Sequence, residues 1–359
     1  MSRFFSHRFD TLTAYTPGEQ PQDRQFIKLN TNESPFDPSP SVLEAVNSAE
    51  VAKLRLYSDP ECRLTVQAIA DYYGIRPQNV VLGNGSDEIL SFIFQAFCDE
   101  NTPVAFPDIS YGFYSVFAQL YGLEAQVIPL KEDYSLDVND YCGINKTVVI
   151  ANPNAPTGMA VSLENIEKLL VSNPDNVVVI DEAYVDFGAD SAVNLTKKYD
   201  NLIVVQTFSK SRQLAGARLG FAVANEAIIT DLNTIRFSTN PYNINRLTLL
   251  AGEAAIKDKL YFEKTRDQII ENRIYTVSEL KKRSFRVLDS KTNFVFASHS
   301  TLGGEELYKK LKAMGILVRF FNKERLSDFL RITIGTREQM DALLDAIDVI
   351  LSGKDDINA

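Results

Sequence analysis

Short, wholly apolar runs recur through the first half of the chain: Asn79-Val80-Val81-Leu82, Val104-Ala105-Phe106-Pro107, Thr147-Val148-Val149-Ile150, Val177-Val178-Val179-Ile180 and Leu202-Ile203-Val204-Val205. They are too short for helices and rich in β-branched residues, so they read as strands buried on both faces. Between them apolar residues return at helical spacing, as in Ile89, Leu90, Phe92, Ile93, Phe94 and Phe97. Strand, turn and helix in repetition predict an α/β fold, a mostly parallel central sheet with helices on both faces. A helix is expected from Ser41 to Ala52, and a long helical stretch from about Leu247 to Lys282, where Ile269, Ile270, Ile274, Val277 and Leu280 keep helical spacing. Beyond it, Phe294-Val295-Phe296 and Gly315-Ile316-Leu317-Val318 alternate with a helix from Gly304 to Met314, which predicts a smaller α+β domain. Residues 1–30 are polar and turn-rich, an arm that needs something to lie on. The expected division is an N-terminal arm, 1–31, joining the small domain; a large domain, 32–245; and a small C-terminal domain, 246–359, with a frayed tail.

The polar residues that close these apolar runs carry the chemistry, because open α/β sheets place functional groups at strand C-terminal ends. Lys210 follows Leu202–Val205 within Thr207-Phe208-Ser209-Lys210. Lysine is costly to bury unless it is paired or chemically used, and one use is condensation with an aldehyde. Arg218 lies eight positions on, after a small, glycine-containing turn, where a guanidinium can grip a phosphate. Asp181 closes the run Val177–Ile180, and a carboxylate there is paired or used. Gly83-Asn84-Gly85-Ser86-Asp87-Glu88 joins a strand to a helix, so the free backbone N–H groups of Gly85, Ser86 and Asp87 make an anion site, with Ser86 as N-cap. Arg331, inside Phe329-Leu330-Arg331-Ile332-Thr333-Ile334, needs an anionic partner; Arg319, ending Ile316–Val318, is a second anion contact.

Bulk properties narrow the classes. The 359 residues carry a net charge of −10, which argues against a nucleic-acid partner and requires local arginines for an anionic substrate. Cys62, Cys98 and Cys142 are far apart and form no C-x-x-C, and His7 and His299 are the only histidines, so neither a disulfide scaffold, a metal site nor a histidine triad is expected. The start has no long apolar segment and no run approaches 18 apolar residues, so the expectation is a cytoplasmic protein without a membrane partner.

The segment S-K-x-x-x-L-A-G-x-R-x-G-F, from Ser209 to Phe221, resembles the lysine segment of pyridoxal-phosphate aminotransferases of fold type I, and within them the histidinol-phosphate aminotransferase family. The resemblance runs from Tyr15 to Arg337. It implies pyridoxal 5'-phosphate as cofactor, with Lys210, Asp181 and Tyr184 catalytic: Lys210 carries the aldehyde, Asp181 holds the pyridine nitrogen protonated, and Tyr184 bonds the phenolic oxygen. The backbone of Gly85, Ser86 and Asp87 and the side chain of Arg218 are implied to cradle the phosphate, Ser209 to bind the cofactor, and Tyr111 to stack on the ring. Tyr57, in Arg55-Leu56-Tyr57-Ser58-Asp59-Pro60, is implied to cross a homodimer interface to the other subunit's phosphate. Arg331, in L-R-I-T-I-G-T, is implied to take the substrate carboxylate or phosphate, with Arg319, Tyr15, Asn30 of L-N-T-N-E-S-P and Asn293 of T-N-F beside the substrate. One departure stands out: the family asparagine before P-T-G, which meets the phenolic oxygen, is Ala155 here; either the adjacent Asn154 substitutes after a small backbone adjustment, or the bond is absent and Tyr184 carries it alone. Tyr114 reads as packing.

The implied reaction is transamination between L-histidinol phosphate and 2-oxoglutarate, giving imidazole-acetol phosphate and glutamate, a step of histidine biosynthesis with a ping-pong pattern. The alternatives are an aromatic-amino-acid aminotransferase or a threonine-phosphate decarboxylase of the same fold and, from another class, a non-catalytic dimeric binding protein.

Overall fold

The computed structural model describes residues 4–353. Among the described residues twelve strands form two sheets: β1 (Ile27–Leu29), β2 (Val80–Gly83), β3 (Val104–Pro107), β4 (Ala125–Ile128), β5 (Thr147–Ala151), β6 (Val178–Asp181), β7 (Leu202–Thr207), β8 (Gly220–Val223), β9 (Phe285–Val287), β10 (Phe294–His299), β11 (Ile316–Phe320) and β12 (Phe329–Thr333). The larger sheet has the order β2-β8-β7-β6-β5-β3-β4. β3 to β7 run parallel with β6 at the centre, while β8 is antiparallel to both β7 and β2. Its alternation serves both faces. Val148, Ile150, Val178, Ile180, Leu202 and Val204 enter one apolar core, and Val149, Val179, Ile203 and Val205 enter the other. Continuous apolar runs are what a strand covered on both faces requires.

The smaller sheet has the order β1-β11-β12-β10-β9. The arm contributes β1, paired parallel with β11 as Ile27↔Ile316 and Leu29↔Val318. Leu29, Val295, Val318, Leu330 and Ile332 share a third core with Ile269 and Leu280 of the helix Lys259–Lys282 and with Leu343 and Ile347 of the helix Arg337–Leu351.

Three sequence expectations shift. The helix expected over 41–52 is interrupted: Pro40–Ala45 ends, and Asn47 caps Ser48–Val51 by accepting from the N–H groups of Ala49 and Glu50. The long stretch from 247 is two helices, Arg246–Lys257 and Lys259–Lys282, because the Asp258 carboxylate caps the second through Tyr261 N–H. Leu249, Ala251, Ala255 and Ile256 pack into the large-sheet core, so the large unit continues past 245 to the interruption at Asp258.

Candidate active site

Strand register brings the polar ends together. Asp181 of β6 pairs in register with Ala151 of β5 and Val205 of β7, and Thr207 of β7 faces Gly220 of β8. The C-terminal ends of β5, β6 and β7 open into a cavity of about 860 Å³, roofed by the arm and by β11, β12 and the loop between them. Lys210, Asp181, Tyr184, Ser86, Asp87, Ser209, Arg218, Tyr111, Tyr15, Arg319 and Arg331 all line it.

Asp181 forms the floor and is 4% exposed. Tyr114 Oη donates to its Oδ2 at 2.8 Å, and Ala183 N–H to its Oδ1 at 3.2 Å. Both partners are neutral, and burial pushes the carboxyl up to about 6 against their pull. A buried carboxylate held by neutral donors is a place for a cation from outside the chain. Tyr114 is therefore more than packing. Its ring is fully buried and its hydroxyl orients Asp181.

Lys210 Nζ donates to the Thr31 carbonyl at 3.3 Å and sits 5.7 Å from the Tyr184 ring centroid. Tyr184 Oη accepts from Asn32 Nδ2 at 3.0 Å. On the other side, Arg218 Nη2 pairs with Asp87 Oδ2 at 2.9 Å, and Tyr111 Oη donates to Asp87 Oδ1 at 2.7 Å. The Asp87 carboxylate thus links the guanidinium to the ring, while its N–H lies in the first turn of the helix Ser86–Phe97. That helix is capped by Gly85 and not, as expected, by Ser86. Gly85 has φ 85, a left-handed conformation that glycine adopts freely, and Ser86 is already the first helical residue. A Cβ at Gly85 would lie 2.5 Å from Arg218 Nη2, and one at Gly220 2.5 Å from Gly85 C, so both glycines keep the cradle close to the arginine. Thr207 Oγ1 donates to Ser209 Oγ at 3.0 Å beside it.

At the roof, Arg331 Nη2 donates to the Asn30 carbonyl at 2.9 Å and its guanidinium lies between Phe294 and Phe321, 5.4 and 5.6 Å from their centroids. Its Nε is buried without a hydrogen-bond partner among the described residues. Arg319 donates to the carbonyls of Thr16 and Pro17, and Tyr15 stacks on Phe113 with centroids 4.3 Å apart.

Five expected residues lie off the cavity wall. Gly85 is one, and its N–H donates to the Gly83 carbonyl at 2.8 Å, so the anion site keeps the N–H groups of Ser86 and Asp87 without it. Asn154 spends its amide on Ile109 O and Thr157 Oγ1, both at 3.0 Å, so it does not replace the side chain missing at Ala155, which itself lines the wall. Asn30 donates to Glu19 O, and Asn293 to Asn32 O; both are buried supports of the arm. Tyr57 is 79% exposed and stacks on Tyr242 at 4.4 Å, facing outward.

The set fits a flat, phosphorylated aldehyde: a helix N-terminus, hydroxyls and Arg218 for a dianion, Tyr111 for a ring face, Asp181 for a ring cation and Lys210 for the aldehyde. Comparison with known proteins agrees. Residues 24–347 match the family model described as aminotransferase class I and II. A histidinol-phosphate aminotransferase of Brachyspira hyodysenteriae is 50% identical over 352 residues, covering 98% of this chain and 99% of that one. One from Clostridium acetobutylicum is 48% identical, covering 97% and 99%. The crystal structure of histidinol-phosphate aminotransferase from Sinorhizobium meliloti in complex with pyridoxal-5'-phosphate superposes with a TM-score of 0.88 at 25% identity, covering 98% and 99%. With a buried carboxylate, a lysine, and an arginine beside a helix N-terminus on one cavity, the chain belongs to the histidinol-phosphate aminotransferase family, within the class I and II aminotransferases, and its cofactor is pyridoxal 5'-phosphate.

Proposed function

We propose that the enzyme transfers the amino group of L-histidinol phosphate to 2-oxoglutarate, yielding imidazole-acetol phosphate and glutamate in histidine biosynthesis. The observation that carries this is one cavity with a buried, neutrally held Asp181 at its floor and an under-bonded Arg331 at its roof, in a chain 50% identical to a histidinol-phosphate aminotransferase. Bound here, pyridoxal phosphate supplies an aldehyde for the amino group and a ring that withdraws electrons from the reacting carbon. Asp181, oriented by Tyr114, keeps a positive charge on the ring side of the cavity. Lys210 Nζ takes the proton from the amino-bearing carbon of the substrate, holds it and returns it, as general base and then acid. Arg218, Ser209 and the N–H groups of Ser86 and Asp87 bind the cofactor phosphate, and Tyr111, tied to Asp87, covers the ring. Arg331, with Arg319 and Tyr15, binds the glutamate carboxylate in one half of the reaction and the substrate phosphate in the other. A single anion pocket serving both halves requires them to alternate, which is a ping-pong sequence.

The exposed Tyr57, with half-exposed Leu54 and Leu56 nearby, supports a homodimer in which Tyr57 reaches the neighbouring site. No helix among the described residues is long and apolar enough to cross a membrane. The location proposed for the enzyme is the cytoplasm. The test is a half-reaction titration. Cofactor-loaded protein is mixed with histidinol phosphate, phenylalanine or threonine phosphate while the visible absorbance is followed. Conversion by histidinol phosphate alone is expected. Equal conversion by phenylalanine would make it an aromatic aminotransferase, and carbon dioxide from threonine phosphate a decarboxylase.

A further inference from the structure

Three consecutive residues of the arm each hold one group of the site. The Asn30 carbonyl accepts from Arg331, the Thr31 carbonyl accepts from Lys210, and Asn32 Nδ2 donates to Tyr184. The third contact differs from the others, because a side chain makes it and because its direction decides what Tyr184 can do. Asn32 is 1% exposed and has φ 57. Its backbone N–H donates to Thr333 Oγ1 at 3.0 Å, and its carbonyl accepts from Asn293 Nδ2 at 3.0 Å. The carboxamide is fixed at both ends: Oδ1 accepts from Thr333 Oγ1 at 3.1 Å, which leaves Nδ2 facing Tyr184 Oη at 3.0 Å. A phenol oxygen that accepts from an amide keeps its own proton to give, and an amide N–H₂ cannot take it. Lys210 Nζ lies 5.7 Å from the Tyr184 ring centroid and directs its hydrogen bond to the Thr31 carbonyl. The tyrosine proton is therefore directed into the cavity.

We infer that Asn32 is a positioning residue, whose carboxamide sets Tyr184 as the hydrogen-bond donor to the cofactor's phenolic oxygen. It supplies from behind the tyrosine what Ala155, a bare methyl on the cavity wall, does not supply from its own side. The inference rests on the reading of Lys210 and Tyr184 as the cofactor-facing pair. The titratable groups around that pair include Lys210 itself, Asp181, Arg331, Tyr15, Tyr111, Tyr114 and, beyond Thr31, Glu33. None of these is altered in the Asn32 variants.

The experiment is a pH titration of the visible absorbance of the cofactor-loaded enzyme. A hydrogen bond donated to the phenolic oxygen stabilises negative charge there and eases proton loss from the chromophore, so weakening it raises the midpoint. Asn32→Gly and Asn32→Asp are the useful variants, because both residues tolerate the left-handed backbone. Asn32→Gly is expected to raise the midpoint by about one pH unit, a tenfold change in proton affinity. Asn32→Asp is expected to raise it further, since a carboxylate accepts the tyrosine proton and draws it away. Tyr184→Phe raises it as well, and adding Asn32→Gly on that background moves it no further. A midpoint unmoved in Asn32→Gly but raised in Tyr184→Phe overturns the inference and leaves the site reading standing. A midpoint unmoved in Tyr184→Phe overturns the site reading and the inference with it. Equal shifts from Asn32→Gly with and without Tyr184 also overturn it, because the side chain then acts through something else. Should Asn32→Gly not fold, Asn32→Asp carries the test alone, and an unmoved midpoint in it overturns the inference.

Discussion

Asp181→Asn separates what the site does for the cofactor from what it costs the empty fold. Burial raises the Asp181 carboxyl from its ordinary 3.8 to about 6. The folded protein therefore binds this proton more readily than the unfolded chain between those values, so stability falls as pH rises through that window and the full cost is present above it. The difference is about 2 pH units, which at 1.36 kcal/mol each gives about 3 kcal/mol of cost at pH 8. Asparagine is nearly isosteric and retains an oxygen for Tyr114 or Ala183. Cofactor-free Asp181→Asn is thus expected to be more stable than the parent at pH 8 by up to about 3 kcal/mol, and little different at pH 3.5. For 359 residues at roughly 2.1 cal/mol/K each, that is about 4 °C in Tm. Glu182, pushed up to about 7 by burial beside it, gives both proteins a further fall in stability with pH, so the comparison between the two isolates Asp181. In the cofactor-loaded enzyme the sign reverses. Removing one member of a buried charge pair costs about 3–5 kcal/mol, or at least about a hundredfold in cofactor affinity or turnover. Calorimetry of the empty and loaded proteins at both pH values is the assay. An empty variant less stable than the parent at pH 8 would refute the argument, by showing that the ionised carboxylate is held favourably by Tyr114 and Ala183 alone.

Two further substitutions probe the cradle and the roof. Gly220→Ala places a Cβ 2.5 Å from Gly85 C, so backbone must move; a loss of about 1–3 kcal/mol in denaturant unfolding and weaker cofactor retention on dialysis are expected, whereas Gly216→Ala, with open space around it, leaves both unchanged. Arg331→Lys loses the planar fork, and steady-state kinetics are expected to show KM rising about tenfold or more for glutamate and for the phosphorylated substrate alike; a rise for one alone would show that two anion pockets exist.

Much of this was legible because the informative residues break a pattern. β-Branched runs of four could only be buried strands, and Asp181, Lys210 and Arg331 are polar residues set against such runs. What escaped was settled by competition in space. Asn154 sits next to the vacant position of Ala155, yet Ile109 O and Thr157 Oγ1 claim its amide, and nothing local announces a partner 45 residues away. Tyr114 carries no mark of its role, since its hydroxyl meets Asp181 only after a helix and a sheet 67 residues apart have packed. The helix break at Asp258 was hidden because apolar spacing continues on both sides of it, although an aspartate three residues before Tyr261 is a sound capping signal. Asn30 and Asn293 read as substrate neighbours through the resemblance of L-N-T-N-E-S-P and T-N-F to family segments; here their amides hold backbone.

The contacts of Asn30–Asn32 also explain how a site survives at the junction of two separate cores. Lys210 and Tyr184 belong to the large unit, while Arg331 and Thr333 stand on β12 of the small sheet. The three arm residues bond to both sides, directly after β1 has been fixed to β11. A second strut stands elsewhere on the cavity rim, where Arg325, from the loop before β12, reaches Asp108 and the carbonyls of Leu130 and Lys131. Beneath it, Ile109, Leu130 and Tyr134 share a small apolar cluster with Phe296 and Phe329. Two struts, one covalently continuous with the small sheet and one built from a single arginine over an apolar patch, limit both sliding and rotation of the units. Arg331 holds Asn30, directly before Thr31 and Asn32, which meet Lys210 and Tyr184, so one three-residue stretch fixes the anion pocket at the roof and the proton-transfer groups below it relative to each other.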